Sequence, residues 1–477
     1  MKHVKGKSRE QIEMRCLNDM VEADSAARQI DMIVDKMDTS YFEKAAPKET
    51  GRPPFAPKDM LKLYIYGMDN GIVSSRKLER ESRRNIEVMW LINGLRPENT
   101  TICNFRRENA VNLVRFFNEF CVALAGAGYI DGKIVAIDGT KIRANNSKRN
   151  NFSAGKLDRH IEYLDKRIAE YMGELDRNDK LDELQERKEK YISFKKRIEN
   201  GEVTEVSTID ADSRLMKQGN NGTDVSYNVQ AAVDSKNKLL AGLSVTNEAT
   251  DLGQLHKVAK AVKDNLGVEK MIVPADKGYY KTDDFKCCHD DNIVTVVAKP
   301  EDNSSKELEF KKGGFRYDKE KDCYHCPAGN ELPFSYQDKE GFKHYQSYKA
   351  CGRCPLKSKC TKSNRRAIVR HQYAESAEKN DRDYAKHQDI YRLRQLLCEH
   401  PFGTVKRTMG IRQFLTRGLT NVAAETALIF LCYNLKRLRT IHKESNKKDG
   451  CLSVFVYFYC FFACYLILFN HFKKMHI

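Results

Sequence analysis

The chain is 477 residues long and carries 83 Lys and Arg against 66 Asp and Glu, a net charge of +17 at pH 7. That length buries a full core in two or three domains and excludes a small stapled scaffold. The basic balance favours a polyanionic partner, nucleic acid first and an anionic membrane surface second, over an acidic protein.

The first 14 residues, MKHVKGKSREQIEM, show no apolar segment that could act as a signal peptide. The 15 cysteines are therefore read as reduced thiols, some of them candidates for holding metal. Residues 1–130 read as helical. Leu61, Leu63, Tyr64 and Met68 recur at helical spacing, Leu78 leads into Val88, Leu91 and Ile92, and Leu113, Phe116, Phe117 and Phe120 close the region. Basic clusters lie between these faces: Arg76, Lys77, Arg80, Arg83 and Arg84, then Arg106, Arg107 and Arg115. A helical bundle with basic outer faces can dock on duplex DNA; the alternative is an ordinary basic surface, because no strict helix-turn-helix signature is present.

The pattern changes at KIVAIDGTKIRA, which reads as a buried strand ending in a turn at Asp138-Gly139. A carboxylate beside a core strand needs a partner or a metal, although a turn-forming Asp-Gly is the simpler alternative. Residues 155–200 are highly charged. Leu157, Ile161, Leu164, Ile168, Tyr171 and Leu175 form an a/d seam there, which predicts a helical hairpin turning at Asn178-Asp179. Two strands joined by a turn at Ser235 to Asn237 follow, then a helix over LGQLHKVAKAVKDNL. The apolar run Met271-Ile272-Val273 ends at a second acid, Asp276, before a helix starting near Thr282 and a strand over 293–299. This mixed α/β order places a ligand site near strand ends.

Residues 301–385 are a polar module with Cys323 and Cys326 in one CxxC, Cys351 and Cys354 in another, and Cys360 beyond. Paired CxxC elements suggest zinc, yet the 24 intervening residues exceed the usual spacing, so reduced structural cysteines stay open as the alternative. RQLLCEHPFGTVKRTMGIRQFLTRGLT then sets Glu399 among Lys406, Arg407, Arg412 and Arg417. Glu399 and Lys406 are seven apart, two helical turns, so one helix could show both to the same ligand. Pro401 predicts a kink or a fresh helix start. An apolar helix over about 422–438 reads as core packing. Residues 451–470 carry no charge over twenty positions, which suits either a membrane span or a hydrophobic appendage.

Three acids at element ends in a basic α/β chain suggest a two-metal phosphoryl-transfer site. The chain also resembles the DDE transposases of bacterial insertion sequences. The resemblance runs to about Arg439 and rests on RPPFAPKDMLKLYIYG, FRREN, VAIDGTKIRAN, YNVQAAVD, ADKGYY, the CPAG and CxxCPLKxxC insert, and EHPFGTVKR with FLTRGL and YNLKRL. It implies an RNase H-like mixed-sheet catalytic domain preceded by an all-helical domain. The implied boundaries are a DNA-binding domain over 1–130, catalytic parts over 131–300 and 386–440, a helical insert at 155–200 and a Cys-rich insert at 301–385. A basic linker and hydrophobic tail fill 441–477.

The same resemblance implies Asp138, Asp276 and Glu399 as metal-binding catalytic residues for two Mg²⁺, with Mn²⁺ as a substitute. It implies Lys406, Arg407, Arg394, Arg106 and Arg107 as DNA contacts, and Cys326, Cys351, Cys354 and Cys360 as a candidate zinc set, with Cys323 extra. The family's signature spaces Tyr and Arg one residue later than Tyr391 and Arg394 stand here. The implied reaction is end cleavage and strand transfer on terminal inverted repeats and target DNA by a homo-oligomer in the bacterial cytoplasm, at the nucleoid and not in a membrane. A two-metal DNA nuclease and a catalytically inactive DNA-binding descendant are the competing readings.

Overall fold

The computed structural model describes residues 10, 12, 14–43, 53–172, 178–218, 222–301 and 309–449. It shows a mixed α/β chain with a helical N-terminal region. The predicted hydrophobic segment at 451–470 and Leu175 lie outside these residues.

Two units divide the described residues: those within 10–132, 138–250 and 396–449 form one, and those within 133–137 and 251–395 the other. The first opens with α1 (Leu17–Met20), α2 (Ala26–Lys36), α3 (Pro57–Asp69), α4 (Ser75–Glu81), α5 (Ile86–Leu91), α6 (Asn99–Glu108) and α7 (Ala110–Gly126). Pro57 at the first position of α3 gives up a donor that no intrahelical carbonyl requires. Met60, Leu61, Leu63, Tyr64, Ile65 and Met68 are buried, so α3 is enclosed on most of its sides. Lys62 is buried with them and meets Asp31 at 2.6 Å and Asp35 at 2.8 Å, the partners a desolvated ammonium needs.

β1 (Val135–Arg143) passes from the second unit into the first at residue 138. In the first unit it is followed by β2 (Asn151–Phe152), α8 (Ala154–Met172), α9 (Asn178–Glu199), β3 (Val206–Ser207), β4 (Arg214–Lys217), β5 (Thr223–Asp234) and β6 (Leu240–Thr246). β5 lies between β1 and β4, and β6 also pairs antiparallel with β5. β1 does not end in a turn at Asp138-Gly139. It runs on to Arg143, because Asp138 Oδ1 accepts the Gly139 N–H at 2.8 Å without bending the strand. The charged segment is the expected helical pair, with Leu157, Leu164 and Tyr191 buried around Phe152. Asn178 opens α9 instead of forming the turn.

The second unit contains α10 (Leu255–Leu266), β7 (Met271–Ala275), α11 (Thr282–Asp290) and β8 (Ile293–Val297). β7 pairs parallel with the first residues of β1 and with β8. Then come β9 (Arg316–Asp318), β10 (Cys323–His325), β11 (Glu331–Gln337), β12 (Phe342–Gln346), α12 (Tyr348–Gly352), α13 (Lys357–Cys360) and β13 (Ala367–His371). These strands form an antiparallel sheet in the order β13-β12-β11-β10-β9. α14 (Ala374–Lys386) follows, and α15 (Gln388–Gly403) begins in this unit and ends in the first.

Two buried asparagines cap strands at sheet edges. In the first unit, Asn434 of α16 (Leu419–Asp449) donates to the Leu240 carbonyl of β6 at 3.0 Å and accepts its N–H at 2.8 Å. In the second, Asn380 of α14 does the same for Val297 of β8, at 2.9 and 3.1 Å. Each amide satisfies edge-strand groups away from water, and the Leu240 carbonyl also accepts the Cys121 thiol at 3.3 Å. Leu428, Leu431, Leu435 and Leu438 are buried, as the sequence predicts.

Candidate functional site

In the first unit the chemistry gathers on β1 and the segment after α15. Asp138 is half-buried just beyond Val135, Ala136 and Ile137, which are fully enclosed. Thr140, two residues on, accepts a 2.5 Å hydrogen bond from Lys406 Nζ. Burial, and then the charge of Lys141, hold the Lys406 ammonium below the usual lysine range. A desolvated cation repelled by its neighbour is a cation poised for an anion.

α15 passes through Pro401 without a break, against expectation. Leu397, Cys398, Pro401 and Val405 are all buried, so packing outweighs the lost donor. The Thr404 hydroxyl donates to the His400 carbonyl at 2.9 Å, and a wide π turn over Thr404–Thr408 follows the helix. The π turn winds the chain less per residue, so the simple two-turn relation between Glu399 and Lys406 does not hold. Glu399 lies exposed on the opposite side from Leu397 and Cys398. His400 is fixed by Tyr433 Oη at 2.8 Å, which in turn donates to the Lys238 carbonyl at 2.7 Å.

The FLTRGL turn that follows is held by acids. Glu425, buried in α16, accepts the Leu415 and Thr416 N–H groups at 3.0 and 2.9 Å and the Thr416 hydroxyl at 2.6 Å. Asp210 and Asp212 take the Gly418 and Leu419 N–H groups at 3.1 and 2.8 Å. Phe414 N–H donates to Arg143 at 2.9 Å, which runs this segment along the end of β1. The odd Gly and Thr of the motif thus have local structural reasons, and Arg417 Nε donates to the Asn145 carbonyl at 3.1 Å. Arg407 is exposed beside Lys406.

In the second unit, Asp276 follows β7 and is half-buried. The register pairs Ile137 with Ala275, and each is the residue immediately before a predicted acid. Arg394 Nη2 lies 3.5 Å from Asp276 Oδ1, and its guanidinium sits 5.6 Å from the Tyr391 ring centre. The predicted DNA contact Arg394 is therefore turned onto a carboxylate here. A Cβ on Gly278 would lie 3.9 Å from Asp251 Oδ2 and 4.0 Å from Asp276 Oδ2, so both carboxylates lean on one glycine. Asp251 escaped the sequence reading because NEATDLGQL resembles an ordinary polar loop; its only signal was an acid shortly before a helix.

Among the other predicted residues, Arg106 lies half-buried over Tyr64 at 5.7 Å, in a packing role, whereas Arg107 is exposed. Cys326, Cys351, Cys354 and Cys360 line one apolar cavity with Phe310, Phe315 and Leu332. Burial raises the Cys360 thiol pKa; Arg366 opposes this, and the other three cysteines add to it. Among the described residues, no three of these thiols have their sulfurs within 4.8 Å of one another; Asp318, Cys323 and His325 do meet that distance.

All three predicted acids offer hard oxygen donors, the chemistry that suits Mg²⁺ or Mn²⁺. The Arg394 guanidinium against Asp276 shows that this carboxylate accepts a cation.

Residues 325–439 match a family model described as a transposase DDE domain, and residues 15–108 match one described as a transposase domain, DUF772. Glu399, Lys406 and the four cavity cysteines fall inside the first match, while Asp138 and Asp276 fall outside it. No curated protein and no solved structure matches the chain. Among the described residues, no helix is long and apolar enough to cross a membrane.

Proposed function

The chain is a DDE transposase of the insertion-sequence type, an enzyme acting on DNA, and from that premise we propose that Asp138, Asp276 and Glu399 are its divalent-metal ligands in an RNase H-like domain. The observation that carries this reading is the bond from Lys406 to Thr140. It ties the Glu399 to Lys406 segment to the strand of Asp138.

Two Mg²⁺ ions held by such acids would supply Lewis-acid activation of a water or a 3′-hydroxyl and charge neutralisation at the phosphodiester. The rest of the chemistry belongs to the chain. The carboxylates orient the reacting oxygens. The half-buried Lys406 exchanges its hydroxyl partner for a phosphate oxygen, gaining a full counter-charge. Asp276 would hold a metal in place of the Arg394 guanidinium now beside it, and that guanidinium would then be available to the DNA backbone. Arg407 and Arg107 add phosphate contacts that position the duplex without reading its sequence. The outcome is cleavage at the element's ends and strand transfer into target DNA by an assembly that brings two ends together. The four cavity cysteines would hold a structural zinc only on drawing their sulfurs together across the cavity.

The test is a Mn²⁺ titration beside a DNA-binding measurement on Asp138→Asn, Asp276→Asn and Glu399→Gln. Each should lose Mn²⁺ affinity while retaining affinity for end DNA, because a metal ligand is not a phosphate contact. Wild-type Mn²⁺ binding in all three would sink the assignment.

A further inference from the structure

One face of the insert's sheet is its core, formed by Phe315, Tyr324, Leu332, Tyr345 and Ile368, with Cys326, Cys351 and Cys360 packed against it. Cys323 and His325 flank Tyr324 in β10, so strand alternation sends both to the opposite face. Asp318 is the register partner of Cys323 across β9 and β10 and shares that face. The three ligand atoms lie within 4.8 Å of one another. His325 Nε2 is 3.3 Å from Asp318 Oδ2 and 4.0 Å from Cys323 Sγ. Tetrahedral zinc bonds would set such atoms roughly 3.3–3.8 Å apart, so a small contraction completes the shell. The other Asp318 oxygen accepts the Glu320 and Lys321 N–H groups at 3.1 and 3.2 Å, which pins the carboxylate in place.

We propose that Asp318, Cys323 and His325 form a zinc-type divalent-ion site on the outer face of the insert, with solvent as the fourth ligand. An ion pair would account for Asp318 and His325 alone; it gives no reason for a thiol aligned with both. Thiolate, imidazole and carboxylate together favour zinc over the Mg²⁺ that suits an all-oxygen set. On binding, the Cys323 thiol gives its proton to solvent and the imidazole binds as the neutral ring. The ion would clamp the hairpin of β9 and β10. The site is separate from the four-cysteine cavity and independent of the catalytic reading.

The experiment measures zinc bound per chain after equilibration in metal-free buffer, for the whole wild-type protein and for Cys323→Ser, His325→Gln and Asp318→Asn. Circular dichroism reports folding. Each variant should hold one zinc fewer than wild type, whatever the cavity cysteines retain. In the cobalt-loaded protein, Cys323→Ser should lower the near-ultraviolet sulfur-to-cobalt absorption by one thiolate's share, a readout that Asp318→Asn would leave in place if that variant still loads. Equal zinc content in wild type and all three variants, with an unchanged cobalt spectrum in Cys323→Ser, would overturn the site.

Discussion

Replacing Lys406 with Met separates a lysine kept for DNA from one kept for the fold. In the free protein its ammonium is half-buried, donates to Thr140 Oγ1 at 2.5 Å and is repelled by Lys141. Losing that hydrogen bond from a charged donor costs about 1.5–3 kcal/mol. Removing a desolvated charge and its repulsion returns a comparable amount, while the Met side chain keeps the packing of the aliphatic stem. Stability in urea should therefore move by no more than about 1 kcal/mol. Against DNA the balance is one-sided: a charge-assisted contact worth about 1.5–3 kcal/mol is lost, and the magnitude of the salt slope falls by about 0.9. Urea denaturation and a salt series with end DNA measure both quantities. An unchanged salt slope together with more than about 2 kcal/mol of lost stability would refute the reasoning and make Lys406 a structural lysine.

Asn434→Ala should cost about 1–3 kcal/mol in denaturant unfolding, since it strands the Leu240 N–H of β6 and leaves its carbonyl only the weak Cys121 thiol donor; a loss under about 0.5 kcal/mol would mean that water replaces the amide. Burial pushes the Asp234 carboxyl up to about 6. The folded state thus binds a proton that the unfolded state releases from about pH 4 upward, and the contribution of Asp234 falls as pH rises through 6. The stability difference between wild type and Asp234→Asn should change by on the order of 3 kcal/mol across that window. His289 titrates with the opposite sign. Burial first, then Lys379, lowers its imidazole to about 4, so its contribution is complete above about pH 6.5 and lost as pH falls toward 4. His289→Leu should remove that part of the acid sensitivity, and an unaltered acid limb would contradict it.

Much of this was legible in the chain itself. Apolar runs marked β1 and β7, and the acids after them follow Ile137 and Ala275, which pair in register. The a/d seam marked the helical pair, because two charged helices can bury only their shared stripe. Local rules misled where tertiary packing overrode them. Asp-Gly reads as a turn, but here the Asp bonds its neighbour's N–H and the strand continues. Pro401 reads as a break, but the buried side of α15 carries the helix through. Arg106 and Arg394 read as free positive charge, yet one covers Tyr64 and the other meets Asp276. The trio of Asp318, Cys323 and His325 escaped notice because a hairpin register creates it, and no spacing motif encodes a register.

The central claim is metal-dependent cutting of DNA by an Asp-Asp-Glu site. It is tested most directly by incubating the purified protein with a linear duplex that carries the DNA flanking its own gene, with Mg²⁺ or with a chelator. The account predicts nicks at a discrete position with Mg²⁺, none with chelator, and none from Glu399→Gln despite undiminished binding. Binding without any cut, or cutting that survives Glu399→Gln, would contradict it.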